Sequence, residues 1–101
     1  MTLYEICEEI SHIVRGLDYG QISFEYDNLM CAMKPGHPAE VLNDILSYIG
    51  WDVFAKKDVP LNMVEETYED LKNFRSAFQV EELDKPIKEL KQYIEDNKHE
   101  K

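Results

Sequence analysis

Apolar residues recur at helical spacing from the third position of the chain. Leu3, Ile6, Cys7, Ile10, Ile13, Val14 and Leu17 fall at the i, i+3, i+4, i+7 intervals that line one helix face. Thr2 and Glu5 stand as the T-x-x-E of a capping box, and Gly16 suits a left-handed stop, so the pattern predicts a helix over 2–16. The period then changes. Apolar residues alternate through Ile22, Phe24 and Tyr26, Asp27-Asn28 follows as a two-residue turn, and Leu29, Cys31 and Met33 complete a matching set. Pairing across that turn puts all six on one face, which predicts an antiparallel hairpin over 21–34.

Three more helical stripes follow. Pro38 suits a first turn, and Val41, Leu42, Ile45, Leu46 and Ile49 make the buried stripe of a helix over 38–50, with Gly50 read as its stop. Trp51, Val53 and Phe54 come next as an apolar connector. Pro60 opens a helix over 60–78 through Leu61, Val64, Tyr68, Leu71, Phe74 or Arg75, and Phe78. Asp84 is read as the cap of a last helix over 85–97 whose core stripe is Ile87, Leu90 and Ile94, because Pro86 is tolerated only in a first turn. The order is α-β-β-α-α-α. A lone hairpin is marginal in water and must lay its apolar face on helices. The expected fold is therefore α+β, one antiparallel hairpin on a helical layer, in a single domain over 1–101 with 98–101 as a frayed tail. An all-α bundle with 21–34 irregular is the alternative.

Composition narrows the setting. At 101 residues with 44% hydrophobic side chains, the chain can close one core without disulfides or metal. Cys7 and Cys31 sit at apolar positions and read as reduced core thiols of a cytoplasmic protein. No stretch approaches the apolar length of a membrane span, and the N-terminus lacks the basic segment of a signal peptide.

Charge changes the picture most. With 21 Asp and Glu against 11 Lys and Arg, the formal net charge is -10. Direct nucleic-acid binding draws on Lys and Arg to neutralise phosphates, so this balance argues against it. Attraction to a basic partner is favoured instead. The excess is uneven: residues 1–55 carry nine acidic side chains against Arg15 and Lys34 alone.

Catalytic chemistry finds little material. Cys7 and His12 are five apart on one helix, roughly 140° round its axis, and no C-x-x-C or H-x-x-x-H pair exists, so neither a metal site nor a cofactor is expected. Both cysteines read as buried in apolar surroundings, which suppresses thiolate formation. There is no G-x-S-x-G and no phosphate-binding glycine loop. The expectation is that the protein is not an enzyme.

Carboxylates and aromatics supply the binding candidates. Glu65, Glu66, Glu69 and Asp70 cluster on one helix, and Glu25, Asp27, Glu40, Asp44 and Asp52 lie in the more electronegative half. Tyr19, Tyr48, Trp51 and Phe54 cluster near connectors; Trp51 and Phe54 are read first as a lid over the end of the second helix and second as interface anchors, a role Trp and Tyr fill because each buries much area with few rotatable bonds. The reading that follows is a small acidic module that binds another protein with a basic surface. It would be an inhibitor or regulator of a nucleic-acid enzyme, of phage or mobile-element type, with carboxylates standing in for phosphates. The alternatives are an antitoxin or immunity protein, and an oligomeric assembly subunit that pairs as a homodimer through the hairpin edge.

Overall fold

In the computed structural model, the described residues are 2–25 and 37–98. They form four helices, α1 (Leu3–Asp18), α2 (Pro38–Phe54), α3 (Leu61–Phe78) and α4 (Asp84–Lys98), with one 3-10 turn at Glu81–Leu83. No strand occurs among them. The fold is all-α, and the α+β expectation is corrected to its helical alternative.

The hairpin fails where it can be checked. Gln21 to Glu25, in its first arm, form no strand; Tyr26, the Asp27-Asn28 turn and the second arm lie outside the described residues. The alternation of Ile22 and Phe24 instead serves a non-helical segment laid on helices. Both side chains pack against the core cluster, and the Glu25 N–H donates to the Phe78 carbonyl at 2.8 Å. A homodimer through a hairpin edge has no strand among the described residues to rest on.

The helix starts follow local chemistry. Thr2 and Glu5 make the reciprocal capping box: the Glu5 N–H donates to Thr2 Oγ1 at 3.2 Å and the Thr2 N–H to Glu5 Oε1 at 3.1 Å. At α2 the His37 ring caps, its Nδ1 accepting from the Ala39 N–H at 3.1 Å ahead of Pro38 in the first turn. Asp84 does not cap α4. It is the first residue of that helix, and its carboxylate takes two bonds from Arg75, at 2.8 and 3.3 Å, tying the end of α3 to the start of α4.

One apolar cluster spans all four helices. Ile6, Ile10, Leu17, Leu42, Ile49, Leu71, Phe74, Phe78 and Leu90 are almost fully enclosed, and Val80 and Leu83 in the α3–α4 connection join them. Leu3, Phe24 and Ile87, expected in the core, are only partly buried.

Gly16 ends nothing. α1 runs on to Asp18, and Gly20, with φ +74°, takes the left-handed position. What Gly16 provides is space: a Cβ there would stand 2.7 Å from Ile22 Cγ1. The backbone of Gln21 and Ile22 is held in place by N–H bonds to the Gly16 carbonyl at 2.8 and 3.0 Å, and isoleucine has few alternative rotamers. Gly16→Ala, which would gain about 1 kcal/mol in an open helix, is therefore expected to lower stability by about 1–2 kcal/mol through overpacking. In an Ile22→Ala background the same change should become stabilising. Urea unfolding of the four proteins checks the cycle, and a gain in both backgrounds would overturn it.

Candidate functional site

α2 does not stop at Gly50. It continues to Phe54, and Val53 extends the buried stripe of Leu42, Leu46 and Ile49 by one more turn. Trp51 consequently stands in the last turn of a helix on its outer side, 81% exposed. The lid reading of Trp51 is thereby corrected. Phe54 is 40% exposed and meets Tyr4 edge-to-face at 5.4 Å, which fixes the end of α2 against the start of α1.

At 3.6 residues per turn, Glu40, Asp44, Tyr48 and Trp51 fall on one side of α2. All four are exposed. Tyr48 carries this face across to α3, donating its hydroxyl to Glu66 Oε2 at 2.7 Å. That bond, and the charges of Glu66 and Asp70, raise the pKa of Tyr48 and keep it a donor. The Asp70 carboxyl is likewise raised, by partial burial first and then by the charges of Glu66 and Glu69. A raised carboxyl beside like charges marks a locally negative surface.

The structure thus gathers Glu40, Asp44, Trp51, Glu66 and Asp70 round Tyr48. It does not gather the rest. Glu65 turns to α4 and pairs with Lys98 at 3.3 Å, while Glu69 pairs with Lys72 at 3.3 Å. Asp52 is the exception: half-buried, it stands four residues after Tyr48 and so lies beside it one turn on. Glu25 is exposed at the Phe78 end of α3, twelve residues and about 18 Å of helix from Glu66. Asp27 lies outside the described residues. Tyr48, read from sequence among the aromatics near connectors, joins the acidic set through its place four residues after Asp44 on α2.

Other chemistry is structural. Burial pushes the Cys7 thiol up to about 12, so it holds its proton; Cys31 lies outside the described residues. No group of three or more His, Cys, Asp and Glu able to hold a metal occurs among the described residues. No described helix is long and apolar enough to cross a membrane.

One carboxyl pair does respond to pH. Glu9 Oε2 on α1 and Glu89 Oε1 on α4 are both buried and have no partner as carboxylates; a proton held on Glu89 would let it donate to Glu9. Lys85 holds the other Glu9 oxygen at 3.0 Å. Burial alone would raise both groups. Glu89 is raised, by burial and then by its bond to Glu9 and the Glu9 charge. Glu9 is lowered despite its burial, by its bonds from Glu89 and Lys85 and the Lys85 charge, against an opposing charge on Glu5. A raised Glu89 stabilises the fold below its unfolded pKa and loses that contribution as pH rises through its folded value. A lowered Glu9 loses its contribution as pH falls through its own folded value. The pair therefore contributes most between those two steps, losing the Glu9 part on the acid side and the Glu89 part on the alkaline side. Glu89→Gln keeps a donor for Glu9 without the titration. It should unfold at higher urea than wild type at pH 8, by about 1 kcal/mol, with the advantage vanishing near pH 5. An advantage independent of pH would show that the pair shares no proton.

No protein-family model, no curated protein and no solved structure matches this chain significantly.

Proposed function

We propose that this chain works by binding another protein that presents a basic surface, through the outer face of α2 and the adjoining side of α3. The observation that carries this reading is Trp51, exposed at the end of a face whose other members are Glu40, Asp44 and Tyr48. A tryptophan left 81% exposed is costly in water and useful in an interface. Carboxylates round such an anchor favour a basic partner and reject an acidic one.

Two settings compete. A phosphate mimic needs uncompensated carboxylates in series, whereas Glu65 and Glu69 are matched here by Lys98 and Lys72. An aromatic anchor with an acidic surround suits an antitoxin or immunity protein better, since such proteins neutralise a dedicated protein target by tight contact.

The test is capture of the partner on immobilised protein at low and high salt, using the product of a neighbouring gene as the first candidate. Wild type is compared with Glu40→Gln/Asp44→Asn and with Glu66→Gln/Asp70→Asn. A basic partner whose capture falls with salt and with either pair supports the reading. An acidic partner, or capture indifferent to both salt and substitution, overturns it.

A further inference from the structure

Gly50 is unexplained by the fold. It lies inside α2, four residues before its end, where glycine ordinarily costs about a fivefold shift toward the unfolded helix relative to alanine. Unlike Gly16 it meets no close neighbour: an added Cβ would stand 3.5 Å from Leu46 Cγ and 3.8 Å from Phe54 Cε2, both ordinary contacts. Its backbone has no positive φ that would demand glycine. What the missing side chain leaves is a hollow of about 160 Å³ between α1 and α2, walled by Ser11, Asn43, Leu46, Ser47, Trp51 and Phe54. The two atoms nearest the added Cβ belong to two of those walls.

The hollow is smaller than the ~300–1,000 Å³ of small-molecule sites, and its scale is that of one side chain. No charged residue lines it. Charge surrounds it instead. Glu8 and Arg15 lie one turn before and after Ser11 on α1, and Glu40 and Asp44 lie on the outer side of α2; all four are exposed and make no ion pair among the described residues, which leaves the surround net acidic.

We propose that Gly50 keeps open a socket beside Trp51 that receives one medium-sized apolar side chain of a partner protein, a side chain flanked on the partner by Lys or Arg. The occupant follows from two observations, an uncharged hollow of single-residue size and an acidic rim that attracts a basic surround. The proposal rests on the basic-partner reading above and adds the feature that would give it shape specificity.

The experiment uses three capped peptides as probes: acetyl-Lys-Lys-Leu-Lys-Lys-amide, its Ala counterpart, and acetyl-Glu-Glu-Leu-Glu-Glu-amide. Binding is followed by amide and indole NMR shifts of the full chain, whose single tryptophan reports on the socket wall. The Leu peptide should bind wild type about tenfold more tightly than the Ala peptide, as methylenes in a fitted pocket allow, with shifts at Ser11, Ser47, Gly50 and Trp51. Gly50→Leu should abolish that preference, and Gly50→Ala should narrow it. Gly50→Ala should also raise the thermal midpoint by about 4–8 °C, so weaker binding there cannot come from lost stability. Equal binding of the Leu and Ala peptides, survival of the preference in Gly50→Leu, or no binding by any peptide overturns the socket. If the Glu-flanked peptide matches the Lys-flanked one while the Leu preference holds, the socket stands and the basic-partner reading falls.

Discussion

Phe74→Ala is expected to cost about 3–5 kcal/mol, the range for truncating an enclosed aromatic residue. Phe74 is fully shielded from solvent on the inner side of α3, and its ring lies 4.7 Å from that of Phe78 one turn later. Two losses add at this site. The phenyl surface returns to water in the unfolded comparison, and the vacancy removes a packing partner from Phe78, which holds the non-helical segment through its carbonyl. A domain of this size holds about 5–15 kcal/mol in all, so the variant should unfold at much lower urea. The 22–25 segment should also lose amide protection ahead of the helices. Phe74→Leu should retain about half of the loss. A urea midpoint within error of wild type for Phe74→Ala would mean that α3 packs otherwise than described.

Much of the helical frame was legible because helix formation is local. The stripes of α1, α3 and α4 and the Thr2–Glu5 box depend on residues three and four apart, and their spacing is visible in one dimension. The hairpin shows where that legibility ends. Alternation at Ile22 and Phe24 reports alternate side chains turned inward, but strand formation needs a partner strand. The N–H of Glu25 found a helix-terminal carbonyl instead. Period two reports the conformation of one segment and says nothing about what it pairs with.

Glycine misled the reading twice for one reason. Its propensity marks helix ends only when its lack of a side chain serves nothing else. Gly16 lies within α1 because Ile22 occupies the volume its Cβ would fill, and Gly50 lies within α2 beside an open hollow. Ending α2 at Gly50 also separated Trp51 from the candidate face, since it joins Glu40, Asp44 and Tyr48 only on a helix that runs past residue 50. The partition of the acidic cluster was half visible. Lys72 stands three residues after Glu69 and pairs with it along α3, but the Lys98 that takes Glu65 is supplied by α4.

Trp51→Ala should separate interface function from fold. The side chain is 81% exposed on the outer side of α2, so its removal should change the urea midpoint by no more than about 0.5 kcal/mol. If the face binds as proposed, the same change should weaken the complex by about 2 kcal/mol or more, roughly thirtyfold, with the loss in the dissociation rate because the indole is buried only after contact. Glu40→Gln/Asp44→Asn should do the reverse, slowing association several-fold at low salt while leaving dissociation nearly unchanged, because charge steers the encounter before surfaces touch. At high salt the charge effect should fade and the tryptophan effect persist, since screening reaches exposed carboxylates and not a desolvated ring. Surface-binding kinetics of wild type and both variants at two ionic strengths read all of this. If Trp51→Ala binds as tightly as wild type, the α2 face is not the interface, and the excess charge serves solubility alone.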